Sequence, residues 1–179
     1  MRRVSVVGAA GSGKSTFGRR LAGVLTVPHV ELDALFWGPG WTPRPREEFV
    51  ADAERELDRE TWVVDGNYSG LQAGIWSRAD TVVWLDLPRS VVMSRVYRRT
   101  LTRAVDRTEL WPGTGNRQRW RDALAPWSRD SIVRFSWEQL QGHPERYGAA
   151  MAAPENARLE FHRLRSRAEV GDFLERAGG

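Results

Sequence analysis

The sequence contains no cysteine and a single lysine. Without cysteine there is no disulfide framework, no thiolate metal site and no cysteine nucleophile. The shortage of lysine is not a shortage of charge. The chain carries 27 cationic side chains, so all but Lys14 are arginine. Long hydrophobic runs are missing too. The opening MRRVSVVGAAG sets a basic pair before only about five apolar residues, short of the roughly 7 to 15 of a secretory core segment. No later stretch approaches the roughly 20 residues that cross a bilayer. These absences imply a cytoplasmic protein without a membrane partner.

What is present fits one folded domain over residues 1–179. A chain of 179 residues with 41% hydrophobic and 28% charged side chains can bury a sizeable core, and chains divide only beyond roughly 250 residues. Apolar runs at Val4–Val7, Val27–Leu32, Trp62–Val64, Thr81–Leu87 and Arg158–Leu164 alternate with helical spacing such as Ser15–Leu25 and Arg46–Glu60. That alternation predicts an α/β fold with a parallel sheet. GPGWTPRP (38–45) is a loop beside Trp37 and Trp41. Charge is uneven: residues 89–134 hold eleven Arg against four Asp/Glu, whereas 44–60 hold four against seven. The net charge of +4 and pI near 10.2 therefore come from one segment, read as a mobile arginine flap or as a solvated basic face.

Residues 8–16, GAAGSGKST, match the Walker A pattern G-x-x-x-x-G-K-[ST] after the strand-like VSVV and before the helical FGRRLAGVL. Backbone N–H groups of such a loop curl around phosphate oxygens, and the following helix amino terminus adds partial positive charge. The expected nucleotide contacts are Gly8, Ala9, Ala10, Gly11, Ser12, Gly13, Lys14, Ser15 and Thr16. Lys14 reaches the β/γ oxygens as a compact point charge that a planar guanidinium cannot easily imitate. Ser15 supplies a hydroxyl to Mg²⁺, and Thr16 stays near the α-phosphate. A guanine-reading Asn-Lys-x-Asp motif cannot exist without a second lysine.

A short chain with this loop and an arginine-rich segment resembles the nucleoside-monophosphate kinase branch, which includes adenylate, shikimate and gluconate kinases. The resemblance implies a three-layer P-loop NTPase fold with five parallel strands in the order 2-3-1-4-5. It also implies an acceptor region at about 33–62 and a lid at about 99–122. Four pieces, GAAGSGKST, HVELD (29–33), WVVDGNYSG (62–70) with RADTVVWLDLP (78–88), and RLRSRAEVGDFL (163–174), resemble the adenylate-kinase-related proteins labelled DNA topology modulation protein, or FlaR-like. The activity implied is ATP- and Mg²⁺-dependent transfer of a γ-phosphoryl group to a small molecule.

Asp65 ends WVVD and matches the magnesium-holding Asp of adenylate kinases; Asp86, after VVWL, is its rival. Asp33 stands where shikimate-type kinases bind their acceptor. It serves as a base toward a hydroxyl or as a helix N-cap. The acceptor side is assigned to Asp33, Phe36, Trp37, Gly66, Asn67 and Tyr68, while Trp41 and Trp76 join the same aromatic set, which is equally readable as core. LDALFW and DGNYSG lack the two arginines with which adenylate kinases grip a monophosphate. A nucleotide acceptor would need Arg44, Arg46 or Arg78 to fold in, so a hydroxyl acceptor is the expectation.

Arg95, Arg99 and Arg103 fall at i, i+4 and i+8, one helical face where like charges repel unless an anion joins them. In the family, arginines at the lid clamp triphosphate oxygens, which assigns Arg95 and Arg99 to phosphate, with Arg117, Arg119 and Arg121 arriving from the far side around Gly113 and Gly115. Arg165 and Ser166 are placed near the adenine, or Ser166 simply caps the last helix with Glu169 at its third position. The alternative function is a nucleic-acid-associated ATP-binding protein using the basic segment 89–134. The two differ in where the arginines point. Monomer and homodimer are both compatible with the sequence.

Overall fold

A computed structural model describes residues 1–118, 128 and 131–179. Strands β1 (Arg3–Gly8), β2 (His29–Glu31), β3 (Trp62–Asp65), β4 (Thr81–Leu85) and β7 (Glu160–Leu164) form one parallel sheet in the order β2-β3-β1-β4-β7. This is the expected 2-3-1-4-5 order, with a small antiparallel hairpin, β5 (Glu109–Leu110) and β6 (Asn116–Arg117), inserted before the last strand.

The central strands read as unbroken apolar runs because both sheet faces are covered. Val4, Val6, Val63, Val83 and Leu85 pack against Phe17 and Leu21 of α1 (Lys14–Leu25) and Phe173 and Leu174 of α7 (Arg167–Gly178). On the other face Val7, Val64, Val82 and Trp84 meet α3 (Arg46–Leu57), α4 (Ser69–Arg78) and Tyr147 of α6 (Ile132–Ala152). Two short or crossing helices complete the set. α2 (Leu32–Phe36) follows β2 directly, and α5 (Arg89–Asp106) packs Val92 and Val96 against Ala9 of the glycine loop.

Several boundaries differ from the sequence expectation for local reasons. β2 begins at His29 rather than Val27, since Pro28 has no N–H to give a ladder, although its carbonyl accepts from Val63 N at 2.9 Å. At its other end Leu32 already belongs to α2. β7 begins at Glu160 because Leu159 N closes a turn onto Asn156 O. Residue 99, the expected start of the lid, lies inside α5, which continues unbroken to Asp106. Among the described residues no helix is long and apolar enough to cross a membrane.

Candidate active site

The glycine loop leaves the carboxyl end of β1 and enters α1 through Gly13, whose φ of 98° is left-handed and suits glycine. Gly11 is constrained by contact as well: a Cβ there would strike Val96 of α5. The loop is held from three sides. Asn67 clasps Gly8, donating from Nδ2 to its carbonyl at 2.6 Å and accepting its N–H at 3.3 Å. Gln139 of α6 accepts from Ala10 N at 2.8 Å, and Arg95 Nη1 donates to Ser12 O at 3.1 Å. Lys14 Nζ folds back to donate to Ala9 O at 3.1 Å. Burial lowers the Lys14 pKa, and the nearby Asp33 and Asp65 oppose that shift.

Asp65, only 2% exposed, ends β3 beside the loop. Its Oδ1 accepts from Ser15 Oγ at 2.8 Å, and its Oδ2 lies 2.7 Å from His29 Nε2. His29 reaches this carboxylate because residue 18 is glycine; a Cβ there would lie 2.8 Å from His29 Nε2. The rival carboxylate is occupied elsewhere. Asp86 Oδ2 accepts from Arg163 Nε at 2.8 Å and Nη2 at 2.6 Å, while that guanidinium lies 4.2 Å from the Trp84 ring centroid.

On the far side of Lys14, Asp33 lies in the first turn of α2, past the Glu31 N-cap, so it is not the N-cap that one reading of the sequence allowed. Tyr68 donates its hydroxyl to Asp33 Oδ1 at 2.7 Å. Burial and the Asp33 charge push the Tyr68 pKa upward, which keeps that donor protonated. The Phe36 ring meets Trp37 and Phe49 edge to face at centroid distances of 4.9 and 5.2 Å, and Tyr68 at a tilt at 4.9 Å. Phe36 and Tyr68 are therefore partly core, while Trp37 leads outward to Trp41 and Trp111 at 5.7 and 5.8 Å steps. Gly66 permits a tight approach, since a Cβ there would lie 2.8 Å from Leu32 Cβ. Trp76 belongs to the core, donating to Ser5 Oγ at 3.2 Å beneath the sheet. Arg44 is tied to Asp52 at 2.6 Å and Glu48 at 3.3 Å, and Arg46 is exposed beside Gly70. Arg44 is thus held on α3, away from a phosphate grip.

The α5 arginines turn inward. Arg95, Arg99 and Arg103 are half-buried whereas Arg98 is exposed. Burial lowers all three pKa values, Arg103 to about 10 with the neighbouring Arg99 charge adding to the effect. Arg99 lies within electrostatic reach of Lys14 and Asp33. Of the opposite lid candidates, Arg117 is exposed on β6, and Arg119 and Arg121 lie outside the described residues. Gly113 and Gly115 form the hairpin turn with φ of 83° and 66°.

That hairpin is docked on the 38–45 loop, a contact that neither segment signals on its own. The buried Asn116 side chain accepts from Trp41 N at 2.7 Å and donates to Gly38 O at 2.9 Å. Trp41 Nε1 donates to Arg117 O at 3.2 Å, and Trp111 Nε1 donates to Glu31 Oε1 at 3.3 Å. Burial and the nearby Asp65 raise the Glu31 pKa. Removing the Asn116 carboxamide leaves two backbone groups without their partner. Asn116→Ala is expected to cost about 1–3 kcal/mol, read as a lower midpoint in urea, whereas Arg117→Ala on the exposed side should stay within about 0.5 kcal/mol.

At the carboxyl end the capping reading describes the observed bonds. Ser166 Oγ accepts from Glu169 N at 3.1 Å, and Glu169 Oε2 accepts from Arg165 N at 2.8 Å. Arg167, in the same turn, lies close enough to depress Arg95. Glu31, His29, Gln139 and His143 also lie at this site, and none of the sequence motifs assigns them a role. Their signals were present, since His29 and Glu31 share one side of a strand and Gln139, His143 and Tyr147 recur at i, i+4 and i+8.

No family model matches the chain. It is 26% identical over 105 residues to an uncharacterised protein, YqaC, of Bacillus subtilis (strain 168), a match spanning 57% of this chain and 58% of that protein. Among solved structures, a gluconokinase from Sinorhizobium meliloti 1021 superposes with a TM-score of 0.53 at 18% identity, covering 98% of this chain and 89% of that one. A shikimate kinase from Acinetobacter baumannii in complex with shikimate gives 0.55 at 17% identity, covering 98% and 90%. At such identities the likeness concerns architecture: the chain has the three-layer α/β P-loop fold that these small kinases share.

Proposed function

We propose that this protein is an ATP-dependent phosphotransferase that moves the γ-phosphoryl group to a hydroxyl of a small molecule. The observation that carries this reading is the direction of the α5 arginines. Arg95 bonds the Walker loop itself, and Arg99 shares the electrostatic environment of Lys14 and Asp33. Arginines that serve a nucleic acid backbone would stand out as an exposed stripe; these face inward. The four sequence pieces that resemble FlaR-like proteins fit the same chemistry, and the two structural neighbours are a gluconokinase and a shikimate kinase.

The chain's own groups divide the work. The loop N–H groups and Lys14 bind the phosphates, and Arg95 and Arg99 neutralise charge on the group in transit. Asp33, with Oδ1 fixed by Tyr68, presents Oδ2 to take the acceptor's proton. Ser15 Oγ and Asp65 Oδ1, 2.8 Å apart, are the hard oxygens that suit Mg²⁺, which is usually held by one or two carboxylates plus substrate phosphates. Among the described residues there is no cluster of three His, Cys, Asp or Glu to hold a metal alone, in keeping with an ion that arrives with its nucleotide. Magnesium, when bound, would neutralise charge on the β and γ oxygens.

The test follows ATP consumption against a panel of hydroxylated metabolites, with and without chelator, alongside thermal shift with a non-hydrolysable ATP analogue. Stabilisation by the analogue and chelator-sensitive, acceptor-dependent turnover are expected. A protein that ignores the nucleotide yet binds DNA, with affinity falling steeply as salt rises, would overturn the reading in favour of the nucleic-acid alternative.

A further inference from the structure

Asp65 is held at both of its oxygens, from two different elements. Ser15 Oγ of α1 donates to Oδ1 at 2.8 Å, and His29 Nε2 of β2 lies 2.7 Å from Oδ2. A carboxylate has no proton to give, so His29 is the donor in the second bond. In the parallel pairing of β2 with β3, His29 stands opposite Val63 and Glu31 opposite Asp65. The imidazole therefore reaches its partner diagonally, from two residues earlier on the neighbouring strand.

The room for that reach comes from α1. Ser15 and Gly18 are three residues apart and share a helix face. That face is turned to Asp65: Ser15 bonds it, and a Cβ on Gly18 would lie 2.8 Å from His29 Nε2 and 3.6 Å from Asp65 Oδ2. Glycine weakens a helix interior relative to alanine, so propensity gives no reason for it on the buried side of α1. The ring seated in the notch does give one.

The second bond matters for what it does to Ser15. A hydroxyl has one proton and two lone pairs, and a cation is met by the lone pairs. Asp65 is only 2% exposed; with Oδ2 tied to His29, its carboxyl group is held against rotation and Oδ1 stays where it takes the Ser15 proton. The lone pairs of Ser15 Oγ are then left for a cation. Without His29, Oδ2 would keep its charge beside Glu31, the residue opposite in the sheet, and nothing would fix which way the carboxyl group turns.

Resting on the nucleotide side of the phosphotransferase reading, we propose that His29, seated in the Gly18 notch, is a positioning residue for the Ser15–Asp65 pair and sets the affinity of the nucleotide-bound site for its divalent cation. It acts through Asp65. Partners that orient a ligating carboxylate from behind are worth about 10- to 100-fold in metal affinity.

Calorimetric titration of ADP tests this on wild type, His29→Ala, His29→Gln and Gly18→Ala, each in chelator and at a series of Mg²⁺ concentrations. Mg²⁺ should tighten ADP binding to the wild type. In His29→Ala the Mg²⁺ concentration that gives half of this tightening should rise about 10- to 100-fold. Affinity for ADP in chelator should stay within about twofold, because the loop N–H groups and Lys14 are untouched. His29→Gln, whose amide nitrogen can stand in for Nε2, should recover part of the loss. Gly18→Ala keeps both bonding groups and favours the helix, yet displaces the ring, so its Mg²⁺ midpoint should rise as well. A merely structural histidine would lower the melting temperature, or weaken ADP in chelator, and leave the Mg²⁺ midpoint in place. An unchanged midpoint in His29→Ala or Gly18→Ala overturns the proposal, as does wild-type ADP binding that ignores Mg²⁺. The phosphotransferase reading survives those results so long as ADP binds; a wild type that binds no ADP, with or without Mg²⁺, sinks both.

Discussion

Lys14→Met is expected to lower kcat/KM for ATP-dependent turnover by at least 10²- to 10³-fold, about the loss that follows removal of one well-placed electrostatic stabiliser. The ammonium is half-buried, donates to Ala9 O at 3.1 Å and stands among Asp33, Asp65 and Arg99. Methionine keeps the stem and removes the charge, so packing is nearly conserved while Asp33 and Asp65 lose their cationic neighbour. Lys14→Arg should rescue little. A forked, planar head cannot occupy the place of a compact ammonium beside the Ala9 carbonyl, and a second guanidinium would crowd Arg99. No other lysine exists to substitute from nearby. Initial rates over a range of ATP concentrations, with circular dichroism to confirm folding, provide the measurement; a folded variant retaining more than about a fifth of wild-type turnover would rule out this role.

The glycine loop and the shared face of Arg95, Arg99 and Arg103 are legible because each rests on a contiguous motif or local periodicity; the sheet order comes from the family resemblance, and the inward turn of that face from the fold. Asp65 and Asp86 look alike in sequence, each a carboxylate after an apolar run. What separates them is Arg163, 77 residues after Asp86, whose guanidinium covers Trp84 and binds that carboxylate. Asn67 lies in the DGNYSG stretch assigned to the acceptor, and its carboxamide also clasps Gly8, from which it is separated by 59 residues. The β5–β6 hairpin joins Asn116 to Trp41 of the 38–45 loop across 75 residues, and nothing in either segment names the other. Strand alternation and helix spacing report what a residue faces; they do not report which distant residue faces it back. Ser166 and Glu169 are the opposite case: the cap bond from Glu169 N to Ser166 Oγ lies within four residues and is therefore readable without the fold.

Asn116 fastens the hairpin to the 38–45 loop through Trp41 N and Gly38 O. Asp33 is half-buried, with Oδ1 held by the Tyr68 hydroxyl at 2.7 Å, and on the phosphotransferase reading it is the general base. Asp33→Asn keeps shape and volume and can still accept from Tyr68, but it can no longer take a proton. The expected result is a kcat lower by about 10²- to 10⁴-fold, with binding of an ATP analogue changed by less than about twofold. Tyr68→Phe, which removes only the donor orienting Oδ1, should cost far less. The contrast also tests the kind of acceptor, because a hydroxyl must lose its proton as the new P–O bond forms, whereas a phosphate oxygen already ionised needs no base. If Asp33→Asn turned over at the wild-type rate, the attacking oxygen would be one that is already ionised and not a hydroxyl.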